Sequence, residues 1–155
     1  MCMIVPGRLR RAVLAAGCGL VVLLAAPITA TSAAGPVVEV WKSAYCGCCG
    51  GWIAHLRQAG FTVVSHDSED MVAVKTANGV TDTLASCHTA RVGGYVVEGH
   101  VPAADIARLL AERPPITGLA APGMPAGAPG MDGPAEPYVV VSFDAAGRTT
   151  VFARH

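Results

Sequence analysis

Three cysteines stand within four residues at Cys46-Gly47-Cys48-Cys49, followed by Gly50-Gly51, where one periodicity gives way to another. Upstream, Pro36 to Lys42 (PVVEVWK) alternates apolar and polar residues and reads as a strand. Downstream, Trp52, Ile53, Leu56 and Ala59 repeat at helical spacing, and Gly60 fits a C-terminal cap. The C-x-x-C pair Cys46/Cys49 therefore falls at a helix N-terminus. Unsatisfied backbone N–H groups and the helix dipole lower thiol pKa there. The thiolate is both the nucleophilic and the metal-binding form, so this spacing alone leaves redox chemistry and metal binding open.

The 155 residues suffice for one domain. Phe61 to Ser65 predicts a second strand. Ser68 caps a second helix from Glu69 to about Ala77, closed by Asn78-Gly79. A less regular stretch, Val80 to Arg91, carries Cys87 and His88, and Gly94 to Glu98 reads as another strand. Pro102 opens a helix with Ile106, Leu109 and Leu110 on its inner face, and Pro114-Pro115 ends it. A Pro/Gly-rich segment from Pro114 to Pro137 holds Met124 and Met131; loops this long inside a small domain tend to be functional or mobile. The chain closes with a hairpin: Tyr138 to Phe143, a turn at Asp144 to Gly147, and Thr149 to Ala153. This order predicts an α/β fold, a thioredoxin-like sandwich with an added C-terminal β-hairpin.

The N-terminus stands apart. Arg8, Arg10 and Arg11 precede an uncharged apolar run from Ala12 to Ile28, and small residues cluster from Thr29 to Gly35. That pattern predicts a secretory signal peptide over residues 1–34, leaving 35–155 as the domain. The run is nearly long enough for an uncleaved anchor, but Pro27 and the small-residue tail favour cleavage. Ala16-Gly17-Cys18 faintly resembles a lipoprotein box, yet Cys18 follows the arginines too closely. The mature protein is thus expected to be exported, periplasmic and free of the membrane. Net charge is zero and aromatics make up 5% of the chain, which gives neither a basic field for phosphates nor a base-stacking surface. No nucleic-acid partner is expected.

Cleavage removes Cys2 and Cys18 and leaves four of the six cysteines in an oxidising compartment. They can form two disulfides, cycle as an oxidoreductase, or bind a metal. Cys48 tilts the balance, because a dithiol redox centre needs two sulfurs and an adjacent third invites scrambling. Neighbouring Cys48 and Cys49 project differently and suit bridging several ions better than gripping one. Soft thiolates select Cu(I), zinc or iron–sulfur clusters. Proline is absent from Val37 to Val101, so no cis-proline can face the C-x-x-C as in thioredoxin-like oxidoreductases; Ser86-Cys87-His88-Thr89 falls in the matching region. The metal candidates are Cys46, Cys48, Cys49 and Cys87, and zinc with His88 remains an alternative. His88, as the neighbour of Cys87 on an extended segment, should point the other way. His100 reads as a capping residue or a ligand. His55 lies about 9 Å along the helix from Cys49, too far for direct ligation, and His66 and His155 read as surface residues. Met124 and Met131 offer soft thioethers, or simply pack the loop. Tyr45 and Trp52 are expected to wall the site. No carboxylate pair or triad suggests hydrolysis.

Three stretches, YCGCCGGW, SCHTARVGGYVVEGHVPAADI and PGMPAGAPGM, together resemble the DUF411 family over about residues 37–155. The resemblance implies an exported, thioredoxin-like metal-binding protein with a role in copper tolerance. It implies Cu(I) held as a multinuclear thiolate cluster, with Cys46, Cys48, Cys49 and Cys87 as ligands. Copper ions and other exported copper-handling proteins are the implied partners. Whether such a protein changes the redox state of copper or only holds it is left open, and a periplasmic thiol–disulfide oxidoreductase is the alternative.

Overall fold

The computed structural model describes residues 35–155. The expected signal peptide, with Cys2 and Cys18, lies outside the described residues. Ten elements follow in order: β1 (Val37–Lys42), α1 (Gly47–Gln58), β2 (Thr62–Asp67), α2 (Met71–Ala77), β3 (His88–Val92), β4 (Tyr95–Glu98), α3 (Ala103–Glu112), β5 (Gly118–Ala120), β6 (Val139–Phe143) and β7 (Thr149–Arg154). The strands form one sheet in the order β2-β1-β3-β4-β5-β6-β7. Parallel neighbours need a crossover. α1 provides it between β1 and β2, and α3 between β4 and β5. All other pairings are antiparallel.

Side chains of a strand alternate between the two faces of a sheet. One face takes Val38, Val40, Ala90, Val92, Val97 and Leu119, covered by Trp52, Ile53 and Leu56 of α1 and Ile106 and Leu109 of α3. The other takes Val96, Ala120 and Phe143 under Val80 and Leu84. α2 buries none of its residues. α1 ends as its sequence requires: Gly60 adopts φ +92°, Phe61 N–H bonds Leu56 O at 3.1 Å, and Gly60 N–H bonds Arg57 O at 3.0 Å, a Schellman closure. Among the described residues no helix is long and apolar enough to cross a membrane.

Three details differ from the sequence expectation. α2 starts at Met71, because the Asp70 carboxylate accepts Ala73 N–H at 2.8 Å and takes the capping role from Ser68. The stretch expected to be irregular through Arg91 becomes β3 from His88 onward. The Pro/Gly-rich segment contains β5, whose three residues are all buried. The terminal hairpin forms as expected and extends the sheet through β5–β6 pairing.

Candidate metal centre

Register decides where the cysteines meet. Lys42 at the end of β1 pairs with His88 at the start of β3, and Thr89 pairs with Glu98 at the end of β4. Glu98 in turn pairs with Ala120 at the end of β5. The Cys46–Cys49 turn, Cys87, His100 and the loop after Ala120 therefore leave the same end of the sheet. It is the carboxyl end of β1, β4 and β5, the end at which open α/β sheets place their ligands.

The sulfurs of Cys46, Cys48, Cys49 and Cys87 lie within 4.8 Å of one another. Cys46 and Cys49 are joined as a disulfide, while Cys48 and Cys87 are free and half-buried. Cys48 Sγ stands 3.7 Å from Cys46 Sγ and 3.8 Å from Cys87 Sγ. A second group overlaps the first at Cys87, whose Sγ is 3.1 Å from His100 Nε2 and 3.4 Å from His88 Nδ1. The sequence places His88 on the opposite side from Cys87, but Cys87 precedes the strand and is free of its alternation, so the two side chains meet. Both imidazoles are fully buried. His88 packs on Trp52 with ring centroids 4.2 Å apart, and its Nε2 has no hydrogen-bond partner. His100 Nδ1 is held by Pro129 O at 2.7 Å.

Burial, and then the adjacent Cys48, pushes the Cys87 thiol up to about 12. Burial, with His100 and Lys75 adding to it, pulls His88 down to about 3. Burial lowers His100 as well. At neutral pH Cys87 is thus a neutral thiol beside two neutral imidazoles with lone pairs to offer. A soft cation entering it must displace protons from sulfur.

The Pro/Gly-rich loop crosses this end of the sheet. Gly123 N–H bonds Ala85 O at 3.0 Å, and Gly123 O accepts the Ser86 hydroxyl. Further along, Pro129 O meets His100, and Gly130 lies against Gly51 and Trp52. Met124 and Met131 each follow one of these anchors; Met124 is 59% exposed and Met131 half-buried. Of the two expected wall residues, Trp52 is buried, but Tyr45 is 97% exposed and encloses nothing. His55 serves α3, its Nε2 accepting Ala103 N–H at 3.1 Å. His66 stacks on Trp41, and His155 Nε2 lies 2.7 Å from Asp105. Sequence reasoning missed Glu98, which is buried behind Cys87 and bonded to Ser86, Thr89 and Lys75. The only signal was a lone acid ending an apolar strand.

Residues 84–131 match the family model described as "Protein of unknown function, DUF411". That stretch includes Cys87, His88, His100 and both loop methionines. Two solved structures are similar to the chain, each at 45% identity. One, "Copper resistance protein copG- Form 1", aligns over 77% of this chain and 96% of its own with a TM-score of 0.73. The other, "Copper resistance protein copG- Form 2", aligns over 78% and 98% with a TM-score of 0.74. No curated protein matches the chain.

Proposed function

The chain belongs to the DUF411, copG-like family, and from that premise we propose that it is an exported protein that binds copper through the sulfurs gathered beside α1. The observation that carries this reading is the convergence of four Sγ atoms from two separate segments within 4.8 Å. Sulfur donors select Cu(I) over harder ions. Cys48 lies between the Cys46–Cys49 pair and Cys87, which suits bridging sulfur and more than one ion. Cys46, Cys48, Cys49 and Cys87 are the proposed ligands, and His88, His100, Met124 and Met131 are secondary donors. Ligation by all four cysteines requires two-electron reduction of the Cys46–Cys49 disulfide, followed by proton loss as the thiols coordinate. The proposed setting is the periplasm, after removal of residues 1–34, in copper resistance and alongside other exported copper-handling proteins. The two helix-bridged parallel pairs with a cysteine turn after β1 support a thioredoxin-like sandwich.

The test is Cu(I) titration of the reduced mature protein, without oxygen and against a competing chelator. Saturation above one equivalent is expected. Saturation at one, or a preference for zinc, overturns the multinuclear reading. A second reading, thiol–disulfide oxidoreductase, is favoured by one observation: the C-x-x-C disulfide at the start of α1. Insulin reduction by the metal-free protein at a rate near that of an ordinary thioredoxin would promote it.

A further inference from the structure

Glu98 ends β4 with its side chain fully buried. Its carboxylate accepts three donors. Oε1 takes Ser86 N–H at 2.6 Å and Lys75 Nζ at 2.5 Å, and Oε2 takes the Thr89 hydroxyl at 2.7 Å. Ser86 and Thr89 are the residues on either side of Cys87-His88. We propose that Glu98 is a positioning residue for Cys87, its carboxylate clasping the chain before and after the cysteine so that the thiol faces the Cys46–Cys49 turn. This deepens the copper-binding reading and rests on it for the metal.

Stability alone does not account for such a group. A buried ion pair can often be exchanged for apolar side chains at no loss, whereas removing one partner is costly. What an apolar side chain could not supply is direction. Glu98 holds Ser86, Gly99 N–H holds His88 O at 3.0 Å, and His100 Nε2 lies against Cys87 Sγ at 3.1 Å. Three consecutive residues from the last of β4 onward thus each engage one of three consecutive residues in the facing segment. Gly99 has φ +71°, and a Cβ there would run into Ser86 and Ala121 O, so the two strands of this contact close on each other without slack. Lys75 brings the counter-charge from α2, a helix with no buried residues of its own. The result is a thiol whose approach to Cys48 is fixed by Glu98, through Ser86 and Thr89, none of them among the proposed ligands. Such outer partners orient ligands and tune the site.

The test uses the reduced mature chain with Glu98→Ala and Glu98→Gln, each first shown to be folded by circular dichroism. In metal-free protein, alkylation of each cysteine is followed by peptide mass. Glu98→Ala should speed Cys87 alkylation about tenfold, as a local opening that releases the segment, with Cys46 and Cys48 unchanged. Its Cu(I) affinity should fall about 10–100-fold. Glu98→Gln keeps an oxygen for Ser86 N–H and should restore most of both losses. Folded Glu98→Ala protein whose Cys87 reacts at the parent rate overturns the proposal. So does equal loss in both variants, which would trace the effect to the charge opposite Lys75. If Glu98→Ala does not fold, Thr89→Val removes one arm of the clasp while keeping side-chain shape. A folded Thr89→Val protein with parental Cys87 reactivity overturns the proposal equally, and faster Cys87 alkylation supports it. If the parent protein binds no copper, the copper reading fails while the alkylation arm still decides the role of Glu98.

Discussion

Gly50 and Gly51 are adjacent residues of α1, and alanine should have opposite consequences at the two positions. Glycine in a helix costs about 1 kcal/mol relative to alanine, so either substitution gains roughly that much from the backbone. At position 50 an added Cβ meets nothing within 4 Å. Gly50→Ala should therefore keep the whole gain and raise Tm by about 3–5 °C for a domain of this size. At position 51 the Cβ would lie 2.9 Å from Gly130 Cα and 3.0 Å from Gly130 O. Those atoms are backbone. Their loop is also tied to His100 through Pro129 O at 2.7 Å. Overpacking of this kind costs about 1–3 kcal/mol, which cancels or exceeds the helix gain. The two variants should thus differ by about 1–3 kcal/mol, with Gly51→Ala at or below the parent. Thermal unfolding of the reduced, metal-free mature protein measures the difference. If Gly51→Ala matches Gly50→Ala, the loop around Gly130 is not seated on α1.

Cys87→Ser should lower the number of Cu(I) ions bound in titration while leaving metal-free thermal unfolding within about 0.5 kcal/mol of the parent, since Cys87 is outside the packed core; unchanged copper stoichiometry would remove Cys87 from the ligand set. Metal-free protein spanning residues 35–155, oxidised in air, should retain two titratable thiols, on Cys48 and Cys87, with Cys46 and Cys49 linked; mass mapping that pairs Cys48 with Cys87 as well would contradict this. Burial lowers the pKa of His55 below its ordinary value of 6.5, so the unfolded chain binds more protons in the interval between the folded and unfolded pKa. The His55 contribution, including its acceptance of Ala103 N–H, is then present above pH 6.5 and lost as pH falls through the folded pKa. Urea unfolding at neutral and mildly acidic pH should show a smaller acid loss for His55→Ala than for the parent, and equal losses would refute that role.

Local patterns in the sequence reveal most of the fold. The alternation of Val37 to Lys42, the spacing of Trp52, Ile53 and Leu56, and Ile106 with Leu109 under Pro102 each report which face is buried, and that is what the structure buries. β5 escapes notice for a physical reason. Gly118-Leu119-Ala120 is buried throughout in the sheet interior, so it has no polar face to alternate with. The bounds of α2 depended on which of two nearby side chains reached Ala73 N–H, and such competition is invisible in composition. At the site, the four cysteines could be named from soft-donor chemistry and from the absence of proline. Their mutual approach depends on the Lys42–His88 register, a long-range fact. Glu98 and Lys75 are separated by more than twenty residues and meet only when β3 and β4 pair, so nothing local marks them as partners.

The sulfurs emerge beyond the strand ends, while α1 and α3 close over the sheet with Trp52, Leu56, Ile106 and Leu109. In small zinc domains the free energy of metal binding is the free energy of folding, and a chelator denatures them. Here the two should be separable, because the main apolar cluster is built without any of the four sulfurs. On the copper-binding reading, stripping the ion should leave a folded receptacle, so a competing acceptor has to overcome only the affinity of the sulfurs. On that reading, the same polypeptide should be emptied and refilled without unfolding, and limited proteolysis should cut the loaded and stripped forms alike.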